Sequence, residues 1–396
     1  MKSQFRGFLF EAKHLTGLLV AVATVAVFLY MGVGAVAQSK STLSALPPTP
    51  QAPKDNPTTP AKVALGRLLF WDPLLSGPQD VACASCHHPQ NGYAEDRDLS
   101  LGVTAIGLGS KRRQAPGSSI PIVKRNSPTV VNIAFSGSDE SGHYDPASAP
   151  MFWDLRVKSL EKQALEPLKA HEEMRGTTYP EDEAVASVVA KLQANAEYRS
   201  LFAGAFGSAQ PVNAENLGRA IAAFERTLLA NNSPFDRYMR GDRSAMTEEQ
   251  VSGMRRFESV GCVKCHNGPM FSDYKLHVMG VPDNPALPAS DDGAEKTYAF
   301  RTASLRNLTF TAPYEHNGMF RTLSDVVGFY EDARGGRSRN PNVSSEKLDP
   351  LIRELGDFDE EDVDLVEFLR ALSDDSFDKT IPERVPSGLP VGGKIQ

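Results

Sequence analysis

The residues best equipped for chemistry form two short runs, Cys83-Ala84-Ser85-Cys86-His87 and Cys262-Val263-Lys264-Cys265-His266. In a Cys-x-x-Cys-His run the two thiols add across the vinyl groups of a haem, and the adjacent His meets the iron from one side. The bland alternatives are chance spacing, a zinc site or a redox Cys-x-x-Cys pair. The chain holds 4 cysteines, and the two runs use all of them, leaving none for a disulfide. Two complete copies read as attachment sites for two covalently bound haem c groups.

A chain of 396 residues allows two or three domains, each able to bury its own core. The formal net charge of -7, with 41% hydrophobic and 23% charged residues, fits a globular protein and argues against nucleic acid as a partner. It is compatible with a charged electron-donor protein. Lys2, Arg6 and Lys13 precede an apolar run from Leu15 to Val36, and Ala35-Val36-Ala37 resembles a cleavage site. Residues 1–37 therefore read as a signal peptide or membrane anchor, which places the body outside the cytoplasm, in the periplasm. Residues 38–60 carry six prolines from Pro47 to Pro60 and read as a Pro-rich linker.

The elements that must position the two runs are helical. Ala61 to Phe70 forms a short amphipathic helix before the first run, and residues 94–125, rich in Gly, Ser and clustered charge, read as loops. Helical patterns cover Glu183 to Phe202 and Asn216 to Ala230. Thr247-Glu248-Glu249-Gln250 is a capping box opening the helix before the second run. Thr322 can cap a helix with Leu323, Val326, Val327 and Tyr330 on one face, and a last helix covers Asp359 to Leu372. No strand alternation of useful length appears. The fold class is mainly α, with two tandem cytochrome-c-like haem domains at 61–212 and 213–376 and a polar tail at 377–396.

Several motifs, in order, resemble the bacterial dihaem cytochrome c peroxidases, and within them the Tyr-ligated branch of MauG, the methylamine-dehydrogenase maturation enzyme. They are Leu65-Gly66-Arg67-Leu68-Leu69-Phe70, Asn126-Ser127-Pro128-Thr129-Val130-Val131-Asn132, Phe152-Trp153-Asp154, Ser304-Leu305-Arg306-Asn307, and Thr311-Ala312-Pro313-Tyr314-Glu315-His316-Asn317-Gly318. The resemblance spans roughly Ala61 to Tyr330. It implies two haem domains with a calcium ion between them, often in a homodimer.

The resemblance also assigns roles. His87 and His266 are the proximal iron ligands. Gln163, Pro167 and Glu173 fall in the distal pocket of the first haem. Heterolysis of a peroxide O–O bond needs a base that takes a proton from one oxygen and returns it to the other. A carboxyl group in an apolar pocket is shifted toward neutrality and can do both, so Glu173 is the acid/base and Gln163 orients the peroxide. The bland alternative makes Glu166, Glu172 and Glu173 solvated helix charges. Neither His88 nor His143 is well suited to close the open face, although His143, in a small insertion, stays a rival.

In Met-ligated relatives the far ligand of the second iron lies fourteen residues after the motif His. Counting from His316, that position holds Tyr330. A phenolate is a hard donor that stabilises ferric and higher states, whereas a thioether favours ferrous iron. Met279, Met319 and His277 are rivals, and Tyr330 is also a plausible core aromatic. The resemblance sets Trp153 between the haems as an electron relay, although a large buried indole packs a core in any case. It matches Asn126 by its side chain, and Thr311 and Pro313 by their carbonyls, to the calcium ligands.

The reading is a peroxidase that reduces hydrogen peroxide at the His87 haem. Its electrons come from a small donor protein, a c-type cytochrome or cupredoxin, through the His266 haem. With a Tyr-ligated partner haem, reaction is expected from the fully ferric enzyme. One alternative is a MauG-like oxidase acting on aromatic residues of a partner protein, and another is a plain dihaem electron carrier.

Overall fold

The computed structural model describes residues 42–359 and 362–396. The expected signal peptide or anchor, and the first residues of the linker, lie outside the described residues. From Thr42 onward the chain forms one compact unit.

Two helix crossings organise this unit, one beside each Cys-x-x-Cys-His run. Helix α1 (Pro60–Trp71) starts with Pro at its first position, where no backbone donor is needed, and Thr59 caps it by accepting from the Lys62 amide. It leads to α2 (Cys83–Cys86), the first run itself. After α3 (Leu160–Gln163), α4 (Ala184–Ala194) and α5 (Ala196–Phe206), the chain returns as α6 (Ala214–Glu225), capped by Asn213. Helices α1 and α6 cross in direct contact: a Cβ added at Gly66 would sit 2.0 Å from the Ala220 carbonyl oxygen. Only Gly permits that approach.

The second crossing repeats the device. After α7 (Pro234–Met239), helix α8 (Glu248–Ser259) is opened by the Thr247/Gln250 capping box and runs to the second Cys-x-x-Cys-His. It crosses α10 (Val363–Ala371) at Gly253, where a Cβ would lie 1.8 Å from the Asp364 carbonyl oxygen. Between them α9 (Leu323–Arg334) carries Tyr330 and is capped by Thr322 and Asp325. Among the described residues, extended structure is limited to three two-stranded antiparallel pairs. These are β1–β2 (Ala105–Ile106, Arg113–Gln114), β3–β4 (Pro150–Met151, Val157–Lys158) and β5–β6 (Leu276–Val278, Ala299–Arg301).

Burial follows the crossings. Leu65, Leu69, Val188, Leu192, Phe202, Leu217 and Ile221 pack behind the first run, and Phe235, Phe257, Phe271, Phe368 and Leu372 behind the second. Each such side chain contributes about 1.5–3 kcal/mol by leaving water.

Four segments differ from the sequence reading. The pattern at 183–202 is two helices, because the Asn195 side chain accepts from the Tyr198 amide (3.0 Å) and starts a new one. Residues 42–60 are not a free linker: Leu43 and Leu46 are buried, and the Leu46 amide donates to Asp236 Oδ1 (2.9 Å). Helix α6, assigned to the second domain by the 212/213 boundary, packs on α1 in the first half. Finally, 377–396 is a strap rather than a tail. Phe377 and Val385 are buried beside Trp71 and Tyr93, and Ser85 Oγ donates to the Gly392 carbonyl (2.8 Å).

Candidate haem sites

At the first run, helical winding over Cys83–Cys86 turns both thiols and the His87 ring to one side. The intervening Ala84 and Ser85 are buried, while Cys83, Cys86 and His87 keep intermediate exposure. The His87 Nδ1 lies 3.1 Å from the Tyr93 carbonyl oxygen. An Nδ1–H donated there fixes the tautomer and leaves Nε2 bare for a metal. Burial lowers the His87 pKa, favouring the neutral imidazole that a ligand must be, and burial pushes the Cys83 thiol up to about 12.

The second run repeats this geometry. His266 Nδ1 lies 2.9 Å from the Phe271 carbonyl oxygen, and burial lowers its pKa. Cys262, Cys265 and His266 face a cavity of about 250 Å³. The bare Nε2 atoms and paired thiols fit a covalently held haem at each run, and at the second run the apolar cavity fits it as well.

Tyr330 borders the same cavity, its ring 6.5 Å from that of His266 and inclined at 70°. Burial, then the nearby Glu315 carboxyl, hold its phenol well above the usual range. Glu315 is itself raised to about 7 by burial. Among the rivals, Met279 borders the cavity too. His277 has both ring nitrogens engaged, at 3.2 Å from Asp273 and 2.7 Å from Asp349, and Asp273, then Cys265 and Asp349, raise it above the usual imidazole range. His88 packs against Trp71 (5.5 Å between ring centroids), and His143 is exposed on a loop.

Glu173 sits in a tight turn of π-helical form at His171–Arg175, an irregularity often found where side chains act. The Val103 amide donates to its carbonyl (2.8 Å), and Gly102 abuts the turn. A second cavity, about 230 Å³, is bordered by Phe152, Arg156, Glu166, Lys169 and Glu173. Burial, then the Glu172 charge, raises the Glu173 carboxyl to about 7, and its charge in turn bears on both Cys83 and Cys86. Gln163 ends α3, a turn whose cap is Ser159.

Trp153 lies in the β3–β4 turn, buried, with its indole N–H donating to the Asn126 carbonyl (3.2 Å). Asp154 is held by Arg125 (2.7 Å) and Arg156 (2.7 Å), which fixes the turn. The indole shares the larger cavity with His266 and Tyr330, and its ring is 6.4 Å from that of His316. Asn126, Thr311 and Pro313 also border that cavity. Asn126 Nδ2 donates to the Arg97 carbonyl (2.7 Å), while no described residue donates to Asn126 Oδ1 or to the Thr311 and Pro313 carbonyls.

Sequence reasoning missed three charged groups. Glu95, beside Cys86, is raised to about 7 by burial, with the Arg112 guanidinium at 4.0 Å as its counter-charge. Glu315 and Arg301 border the large cavity. No spacing marks them in the sequence.

Comparison with known proteins agrees with this geometry. Residues 60–244 match the family described as di-haem cytochrome c peroxidase. The chain is 35% identical to the cytochrome-c peroxidase IdrP1 of Pseudomonas sp. (strain SCT), covering 84% of this chain and 85% of that protein. It is 34% identical to the methylamine utilization protein MauG of Methylorubrum extorquens, covering 84% and 83%. Its fold resembles the crystal structure of a MauG-like protein associated with microbial copper homeostasis (TM-score 0.66, 27% identity, covering 84% and 95%). With two haem-attachment runs set on two helix crossings, the chain belongs to the di-haem cytochrome c peroxidase family.

Proposed function

We propose that the chain reduces hydrogen peroxide to water at the Cys83/Cys86/His87 site, with electrons from a small donor protein entering through the Cys262/Cys265/His266 site. The observation that carries this reading is the Glu173 carboxyl, which is raised to about 7, borders a cavity, and bears by its charge on Cys83 and Cys86. Bound haem would supply the redox-active iron. Reduction of H₂O₂ by two electrons consumes two protons and releases two waters. Glu173 as carboxylate takes the proton from the nearer oxygen and returns it to the departing one, a transfer that needs a pKa near the working pH. The Gln163 amide orients the peroxide. His87 and His266, held by backbone carbonyls, present Nε2 as ligands.

Tyr330, facing His266, would give up its phenol proton to a bound ferric iron and as phenolate would favour the oxidised state, so reaction is expected from the ferric enzyme without prior reduction. Trp153 carries electrons between the two sites. The free oxygens of Asn126, Thr311 and Pro313 support a calcium ion completed by water. The reading includes two cytochrome-c-like halves and a periplasmic location, supported by the apolar N-terminal run and the chemistry of c-type haem attachment.

The test is an electron paramagnetic resonance spectrum of the ferric protein before and after one equivalent of hydrogen peroxide. One high-spin and one low-spin signal, both collapsing on addition, are expected. Two low-spin signals unmoved by peroxide would overturn reaction from the ferric enzyme and leave a reductively gated peroxidase or an electron carrier. A second reading, oxidation of aromatic residues in a partner protein, is favoured by Tyr330 opposite His266. It predicts peroxide-dependent oxidation of a co-expressed partner in the absence of any reduced cytochrome.

A further inference from the structure

Arg301 is set apart from the other inward-facing arginines by what it lacks. Arg125 pairs with Asp154 and Asp291, Arg226 with Glu161 (2.7 Å), and Arg306 with Asp236 (2.9 Å). Arg112 donates to three backbone carbonyls, those of Leu101, Gly107 and Gly102. Arg301 has no carboxylate within ion-pair distance among the described residues, and its Nε is buried without an acceptor. The one carboxylate whose charge reaches it, Asp154, is already held by Arg125 and Arg156.

Its position is well defined. Arg301 ends β6, and its backbone amide donates to the Trp153 carbonyl (2.7 Å). The guanidinium carbon lies 6.0 Å from the centre of the Trp153 ring and 5.9 Å from that of Tyr274, so the fork runs between two aromatic faces. It borders the cavity shared by Cys262, Cys265, His266 and Tyr330. A cation withdrawn from water without a counter-charge is strongly destabilising, and a planar guanidinium matches a carboxylate with two parallel N–H donors.

We infer that Arg301 binds a propionate carboxylate of the haem attached at Cys262 and Cys265, fixing that edge of the haem beside Trp153. The inference rests on the dihaem reading. It makes Arg301 a positioning residue: it compensates the propionate, holds the haem edge against the relay indole, and sets a fixed positive charge beside both.

The test uses holoprotein carrying Arg301→Gln or Arg301→Lys, with haem content counted by pyridine haemochrome absorbance. The second haem's reduction potential is read by spectroelectrochemical titration and its propionate bending band by resonance Raman. A cation near the iron favours the less positive ferrous state, so Arg301→Gln is expected to lower the potential and move the band. Arg301→Lys keeps the charge but not the fork, and is expected to hold most of the potential while still moving the band. An Arg301→Gln protein with unchanged potential and band overturns the inference. So does a band unmoved in both variants with a potential that responds to added phosphate, which assigns Arg301 a free anion. If Arg301→Gln yields no holoprotein, the Raman band of Arg301→Lys decides alone, an unmoved band being the refuting result. A wild-type count of one haem per chain would instead refute the dihaem reading.

Discussion

Replacing Glu173 with Gln removes the ionisable group while keeping size and hydrogen-bonding reach, so it isolates proton transfer from packing. A positioned acid/base contributes roughly 10²–10⁴-fold, equivalent to about 3–5 kcal/mol of barrier. The environment of Glu173 argues for the upper part of that range. Its carboxyl is raised from 4.5 to about 7 by burial and by the Glu172 charge. At pH 7 such a group is about half protonated, whereas an unshifted glutamate would be protonated in roughly 1 molecule in 300. The raised group can therefore both accept and return a proton. The sign is definite: below pH 7 the carboxyl is protonated and cannot act as base. The second-order rate of peroxide reaction with the ferric enzyme, followed by stopped-flow absorbance, is expected to rise about tenfold per pH unit toward 7 and then level. Glu173→Gln is expected to be flat and slow, and Glu172→Gln to move the inflection downward, since the Glu172 charge helps raise it. A Glu173→Gln rate within threefold of wild type, or a wild-type profile flat between pH 5 and 8, would refute the reasoning.

Gly102→Ala forces a Cβ to within 2.2 Å of the Glu172 and Glu173 carbonyl oxygens; a loss of about 1–3 kcal/mol in urea unfolding is expected, with a slower peroxide reaction because the acid/base turn moves. Tyr330→Phe keeps the ring and removes the oxygen, so thermal stability should change little while the low-spin resonance of the second haem changes and the ferric enzyme loses the collapse of that signal with peroxide. Trp153→Phe should leave the first haem's reaction with peroxide intact but slow electron delivery from a reduced donor, seen as a lower kcat with an unchanged peroxide rate constant. Treatment with a calcium chelator, or Asn126→Ala, should weaken electron transfer between the haems, and added Ca²⁺ should restore the wild-type protein only.

The helices that carry the attachment runs were legible because their signals are local. The apolar pattern of α1, Thr247 before α8 and Thr322 before α9 act within three or four residues of themselves. The break at Asn195 was hidden because the apolar period continues on both sides while a single side-chain acceptor restarts the helix. The C-terminal strap was invisible for the opposite reason. Its apolar residues, Phe377 and Val385, are isolated among polar ones, and their partners Trp71 and Tyr93 are some three hundred positions earlier in the chain. Glu173, Gln163 and Tyr330 were singled out by resemblance, since neither charge nor periodicity separates them from Glu172 or from the core aromatics. Arg301 could emerge only once its neighbours were known, because an absent partner leaves no trace in sequence.

The strap also bears on the order in which the molecule is completed. Ser85, inside the first attachment run, donates to Gly392 across 307 positions, and the amides of Gly392 and Lys394 donate to Trp71 (2.8 Å) and Asp80 (2.9 Å). Closing a loop of that length is slow compared with winding α1 or α2. Until residues 392–394 dock, the first pair of thiols lies on an incompletely covered surface. The strap therefore seals the first site from a segment some three hundred positions away, so the two regions become ordered together. Deleting residues 392–394 would thus loosen the surroundings of Cys83, far from the deletion in sequence.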